Sequence, residues 1–172
     1  DIADTRSRIR TMVHRLSDGV ICTNQNNRVV MVNPAFLQMV GYTGVASAMG
    51  RRCDGVISIA RIRQMIAQTL AAGAEDTLER TDEIEHGENA EGEPRILGVR
   101  CTPFRDRSGA TMGVITVLHD ITTLKKLDRI KSEFVSRVSH EIRGPMNSVL
   151  MQLQVILDRL AGDITDKQQE IL

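Results

Sequence analysis

Residues 16–44 read LSDGVICTNQNNRVVMVNPAFLQMVGYTG. Two runs rich in β-branched residues flank Asn24-Gln25-Asn26-Asn27. Asparagine tolerates left-handed backbone, so the stretch predicts two strands joined by a tight hairpin. Pro34 then suits the first position of a short helix, and Gly41 its stop.

Working downstream, Ile62, Met65, Ile66 and Leu70 share one face of a helix over 61–73, which Gly73 ends. Three strand-like runs follow: EDTLERTDEI (75–84), RILGVRCTPFR (95–105) and TMGVITVLHDI (111–121). Between the first two, EHGENAEGE (85–93) reads as a solvated hairpin tip, because its acidic residues lack the spacing of a cation-binding loop. Two strands, several short helices and three strands imply an α+β fold. The expectation is an antiparallel five-stranded sheet with short helices on one face.

At 172 residues the chain holds one domain of ordinary size and an appendage. Its 22 basic and 22 acidic residues cancel, so no global field selects nucleic acid or an anionic membrane surface. Cys22, Cys53 and Cys101 are odd in number, widely spaced and without a CxxC pair. They read as reduced, core-filling thiols rather than a disulfide frame, and no metal site is expected. No apolar run approaches the ~20 residues that cross a bilayer, and DIADTRSRIR lacks the apolar core of a signal peptide. The chain begins without Met and ends in a helix-like KQQEIL, so the expectation is a soluble piece of a longer protein, with an anchor elsewhere left open.

Both flanks have helical periodicity. Ile2, Ile9 and Leu16 lie seven apart with Met12 between them, which fits a short coiled-coil stripe or an amphipathic helix packed on its own domain. At the other end Leu127, Ile130, Phe134, Val138, Ile142, Met146, Val149, Leu153, Ile156 and Leu160 step by three or four from Leu124 onward. Such a seam needs partner helices, most simply a second copy of itself, giving a parallel homodimer. Thr165 and Gln168 are spaced as a capping box for one more helix.

The seam carries FVSRVSHEIRGPMNSV at 134–149. At about 100° per residue, His140 lies opposite Phe134, Val138, Ile142, Met146 and Val149. Ser136, Arg143, Gly144 and Asn147 share its side. A structural histidine would sit on the seam, whereas this one faces solvent beside Glu141. An unperturbed imidazole titrates near about 6.5 and keeps a free lone pair at neutral pH, so it can act as a nucleophile. Pro145 offers no N–H to the Glu141 carbonyl, and Gly144 adds backbone freedom. The pair is either a hinge or a kink held by a partner helix.

Residues 17–122, through the 16–44 stretch and GVITVLHDIT at 113–122, resemble a PAS domain, with Asn33, Gly41 and Asp120-Ile121-Thr122 as the more specific marks. Residues 134–150 resemble the H-box of sensor histidine kinases, usually Ser-His-Glu-Leu-Arg-Thr-Pro-Leu, and with the seam this likeness covers 124–172. The resemblance implies an N-terminal signalling helix (1–17), a PAS sensor (18–122), and a linker helix with the first part of a dimerisation and phosphotransfer bundle (123–172). It implies that His140 is phosphorylated by ATP and passes the phosphoryl group to an aspartate of a response regulator, with Glu141 as general base or orienting group. ATP and Mg would be bound by a separate catalytic domain that this chain lacks. Expected partners are a second copy, that domain and the receiver domain, with no nucleic acid, in the cytoplasmic portion of the cell's signalling protein. Many such kinases also dephosphorylate their regulator through an ExxT/N motif, and here Glu141 matches while Gly144 replaces the Thr or Asn.

No PAS ligand is assigned. Three Phe, one Tyr and no Trp leave few stacking partners for a flavin. Of the possible haem ligands, His14 falls on the opening helix, His86 in the acidic loop and His119 at an ordinary strand position. The competing reading is a PAS dimerisation or docking module in a non-catalytic regulatory protein.

Overall fold

The computed structural model describes residues 2–72 and 79–157. The hairpin forms where the asparagines place it: β1 (Gly19–Asn24) pairs antiparallel with β2 (Val29–Val32), and Asn27 takes the left-handed conformation at φ 57°. Helix α2 (Pro34–Val40) opens on Pro34 and closes at Gly41, whose φ of 72° is the left-handed cap that glycine supplies without strain. Helices α3 (Val45–Ala48) and α4 (Ala60–Ala71) follow, separated by a 3-10 turn at Cys53–Gly55.

Strands β3 (Arg80–Glu88), β4 (Pro94–Arg105) and β5 (Thr111–Asp120) complete a five-stranded sheet in the order β2-β1-β5-β4-β3, every pair antiparallel. This is the expected α+β fold. Strand β5 therefore lies beside β1. Phe36, Ile57, Ile62, Met65 and Ile66 from the helical layer bury against Ile21, Val99, Cys101, Val114 and Leu118 of the sheet in one cluster. Each such side chain contributes about 1.5–3 kcal/mol on leaving water. Strands β1 and β5 approach closely at Gly113, where an added Cβ would lie 2.0 Å from the Thr23 carbonyl oxygen and 2.6 Å from the Phe104 ring.

One sequence expectation is corrected. Strand β3 continues to Glu88, so His86 is a strand residue, not a loop residue, and the acidic link shrinks to 89–93. β3 is an edge strand in which half-buried Arg80, Asp82, Ile84 and His86 alternate with exposed Thr81, Glu83 and Glu85. Its charges reach water while its backbone pairs with β4, and such charge suits a sheet edge. Residues 75–78 of the expected strand, Gly73, Leu160 and the Thr165/Gln168 capping box lie outside the described residues.

The three cysteines are free and buried. Burial raises all three thiols, and at Cys53 the neighbouring Asp54 adds to it, pushing that thiol up to about 12.

The chain divides into two compact units, Asp1–Thr123 and Leu124–Leu172. Helix α1 (Ile2–His14) belongs to the first. Helix α5 (Thr122–Leu157) makes up the described part of the second and runs through Pro145 without interruption. Its apolar side is open: Phe134 is 66% exposed, Ile142 52% and Met146 57%. Among the described residues, no helix is long and apolar enough to cross a membrane.

Candidate functional site

Two places on the chain concentrate polar chemistry. The first is the junction from which α5 departs. Asp120 Oδ1 accepts from the Thr122 backbone N–H at 3.1 Å and from its hydroxyl at 2.6 Å. The same hydroxyl accepts from the Ile96 N–H at 3.0 Å, and the Ile121 N–H donates to the Ile96 carbonyl at 2.9 Å. The start of α5 is thus tied to β4 and β5. Burial would raise the Asp120 carboxyl, but the Thr122 hydrogen bonds, aided by Arg95 and His119, outweigh it and hold the group below the ordinary carboxylate value.

A second polar centre on the same domain is Asn33, fully buried. Its Oδ1 accepts from Val20 N–H at 2.8 Å and from Phe36 N–H at 3.0 Å, the second bond capping α2. Its Nδ2 donates to the Val13 carbonyl at 3.1 Å and to the Asp18 carbonyl at 2.8 Å. One side chain joins the last turn of α1, the entry to β1 and the start of α2. Asp18 in turn pairs through its carboxylate with His119 Nδ1 at 2.5 Å.

The second place is the polar side of α5. Ser136, Arg137, His140, Glu141, Arg143, Gly144 and Asn147 are all exposed. Ser139 and Ser148 turn their hydroxyls back to the carbonyls of Val135 (2.8 Å) and Gly144 (3.3 Å). Among the described residues, no hydrogen bond holds the His140 imidazole, which leaves its lone pair free to meet a group brought from outside. Glu141 follows it directly. A side chain at Gly144 would meet nothing within 4 Å.

The remaining histidines are dispersed, with His14 ending α1, His86 on β3 and His119 on β5. His14 borders a mainly apolar groove of about 380 Å³ with Met31, Val32, Val45, Ala46 and Met49. Sequence reasoning singled out Asn33, His119 and Asp120 separately but missed Asp18. The asparagine preceding Pro34 is a legible helix cap, whereas nothing local couples Asp18 to His119, 101 residues away.

The family profile described as PAS domain matches residues 17–123. The chain belongs to the PAS domain family. Among solved structures, the PAS domain of Bordetella pertussis BvgS is similar with a TM-score of 0.51 at 19% identity, over 77% of this chain and 96% of that one. An RNA-binding light-oxygen-voltage receptor gives 0.55 at 20% identity, over 82% of this chain and 39% of that one. These likenesses show the fold. The PAS chain is also similar to curated sensor proteins. The alginate biosynthesis sensor protein KinB of Pseudomonas aeruginosa is 21% identical over 172 residues, and the sensor histidine kinase WalK of Bacillus subtilis 24% over 153, or 89% of this chain. The sensor protein kinase WalK of Staphylococcus saprophyticus is 28% identical over 157 residues, 88% of this chain. The chain spans only 23–28% of the length of these relatives.

Proposed function

We propose that this chain is the sensor and phosphoacceptor portion of a sensor histidine kinase, in which the PAS domain passes a signal along α5 to His140. The carrying observation is the placement of an unengaged, solvent-facing His140, followed by Glu141, on the same helix that starts at the PAS junction and offers an apolar face opposite. Two copies joined through that apolar face form the working unit.

In this reading a neutral His140 nitrogen attacks the γ-phosphorus of ATP bound with Mg in a separate catalytic domain. The N–P bond forms as the bond to the ADP oxygen breaks, and Glu141 orients or accepts the proton on the other ring nitrogen. The phosphoryl group then moves to an aspartate of a response-regulator receiver domain. Gly144 and Pro145 give the helix a compliant point one turn beyond the histidine.

The test supplies the chain with the nucleotide-binding domain of its complete protein, Mg and labelled ATP. An acid-labile, alkali-stable label should appear on His140 and vanish in His140→Gln. Glu141→Gln should slow labelling by about 10²-fold or more. Label that persists in His140→Gln would refute the assignment.

A further inference from the structure

We propose that the Asp18–His119 pair is a clasp that couples the end of α1 to the start of α5, so that a displacement of the entry helix is felt at the cap of the exit helix. The inference rests on the signal-relay reading only for its biological use, since the clasp itself is a property of the fold.

Successive strand side chains point to opposite faces, so His119 and Asp120 leave β5 on opposite sides. His119 Nδ1 reaches the Asp18 carboxylate at 2.5 Å, while Asp120 holds Thr122, the first residue of α5. Asp18 is itself fixed from behind. Its carbonyl accepts from Asn33 Nδ2, which also donates to the Val13 carbonyl in the last turn of α1. Hydrogen bonds therefore run Val13–Asn33–Asp18–His119, the β5 backbone carries the path on to Asp120, and hydrogen bonds resume from Asp120 to Thr122.

Its links differ in strength. Asn33 is fully buried, and both bonds it donates go to backbone carbonyls, so that end has little freedom. Asp120 is tied to Thr122 by two bonds and Thr122 to β4 by a third. The Asp18–His119 pair is one bond between side chains 40% and 61% exposed. Water competes for both partners there, so the clasp is the link that opens first. A relay needs such an element, stable in two arrangements and not welded in one.

The charged surroundings agree with this role. Asp120 adjoins His119 on its own strand, and Arg95 from β4 acts on Asp120. On β4 the residue opposite His119 is Gly98, which presents no side chain to hold the ring in place of Asp18.

The experiment measures amide hydrogen exchange on the 172-residue chain, comparing Asp18→Asn, His119→Gln, the double variant and His119→Lys. An exposed side-chain pair is worth roughly 0.2–1 kcal/mol, so opening the clasp should speed exchange about 1.4- to fivefold. The faster exchange should appear both in the last turn of α1 and in the first turn of α5. The double variant should match either single one, and His119→Lys should restore protection only where Asp18 is present. Arg52→Gln, which breaks the exposed Arg52–Asp54 pair elsewhere on the domain, should change neither helix end. Acceleration at only one helix end, or additive effects in the double variant, would overturn the clasp. In the complete protein the same variants should change the rate of His140 labelling. Exchange that responds as stated while labelling does not would leave the clasp in place and refute the relay reading.

Discussion

Asn33 uses every hydrogen bond an amide side chain can make, two as acceptor and two as donor, in a site without water access. Removing it strands the buried Val20 N–H and uncaps α2, so Asn33→Ala should cost about 2–4 kcal/mol in urea unfolding. Asn33→Asp keeps the acceptor half and loses both donations. It should therefore spare α2 while loosening α1, which amide exchange resolves helix by helix. An equal effect on both helices would mean that the two halves do not act separately.

Gly144 is the other informative single residue. By its resemblance to the H-box, whose Thr or Asn at this position holds the water that attacks a phospho-aspartate, Gly144 lacks that group, and misplacing such a water costs about 10²-fold. The complete protein should then be a weak phosphatase. Gly144→Thr, which has open space around it, should raise the loss of phosphate from a purified phospho-regulator in the presence of ADP. Strong phosphatase activity in the unmodified protein that survives Asn147→Ala would contradict this.

Among the elements, α5 is anchored to the sheet at its first residue, Thr122. The Asp120 carboxyl is held below its ordinary value by the Thr122 bonds, which outweigh burial. A depressed carboxyl stabilises the fold above about pH 4, where unfolded carboxyls are ionised, and the contribution fades as pH falls through the lower folded value. The stability difference between the unmodified chain and Asp120→Asn should therefore be largest near neutral pH and shrink below pH ~4. Urea midpoints from pH 3 to 7 would show it, and a pH-independent difference would assign the effect to shape, not charge.

The same element shows what the sequence could and could not disclose. Apolar spacing placed α5 and the open seam, and Pro34 with Gly41 bounded α2, because these signals are local. β3 was harder, since at a sheet edge charged residues sit in a strand without burying their charge, and EHGE then looks like a loop. His119 looked ordinary because its partner Asp18 reaches it only after the sheet has brought β5 against β1. The polar chain between the helices is a product of topology, which periodicity does not encode. Helical geometry places His140 opposite the apolar seam, and both sides of α5 are exposed in the single chain.

At the scale of the whole molecule, the proposed function makes α5, which starts at the PAS junction, both the dimer seam and the signal path to His140. An apolar face of this length, with Leu127, Ile130 and Phe134 each more than half exposed, calls for a covering partner. A second copy in parallel register brings identical residues together. Disulfide crosslinking tests this directly, and because Cys22, Cys53 and Cys101 are buried, none of this chain's own thiols competes with cysteines introduced at 130 and 134. In the complete protein, Ile130→Cys and Phe134→Cys should each crosslink between the two copies. The ratio of the two yields should change between variants locked in the kinase-on and kinase-off forms. Absence of crosslinks, or the same ratio in both forms, would contradict the account.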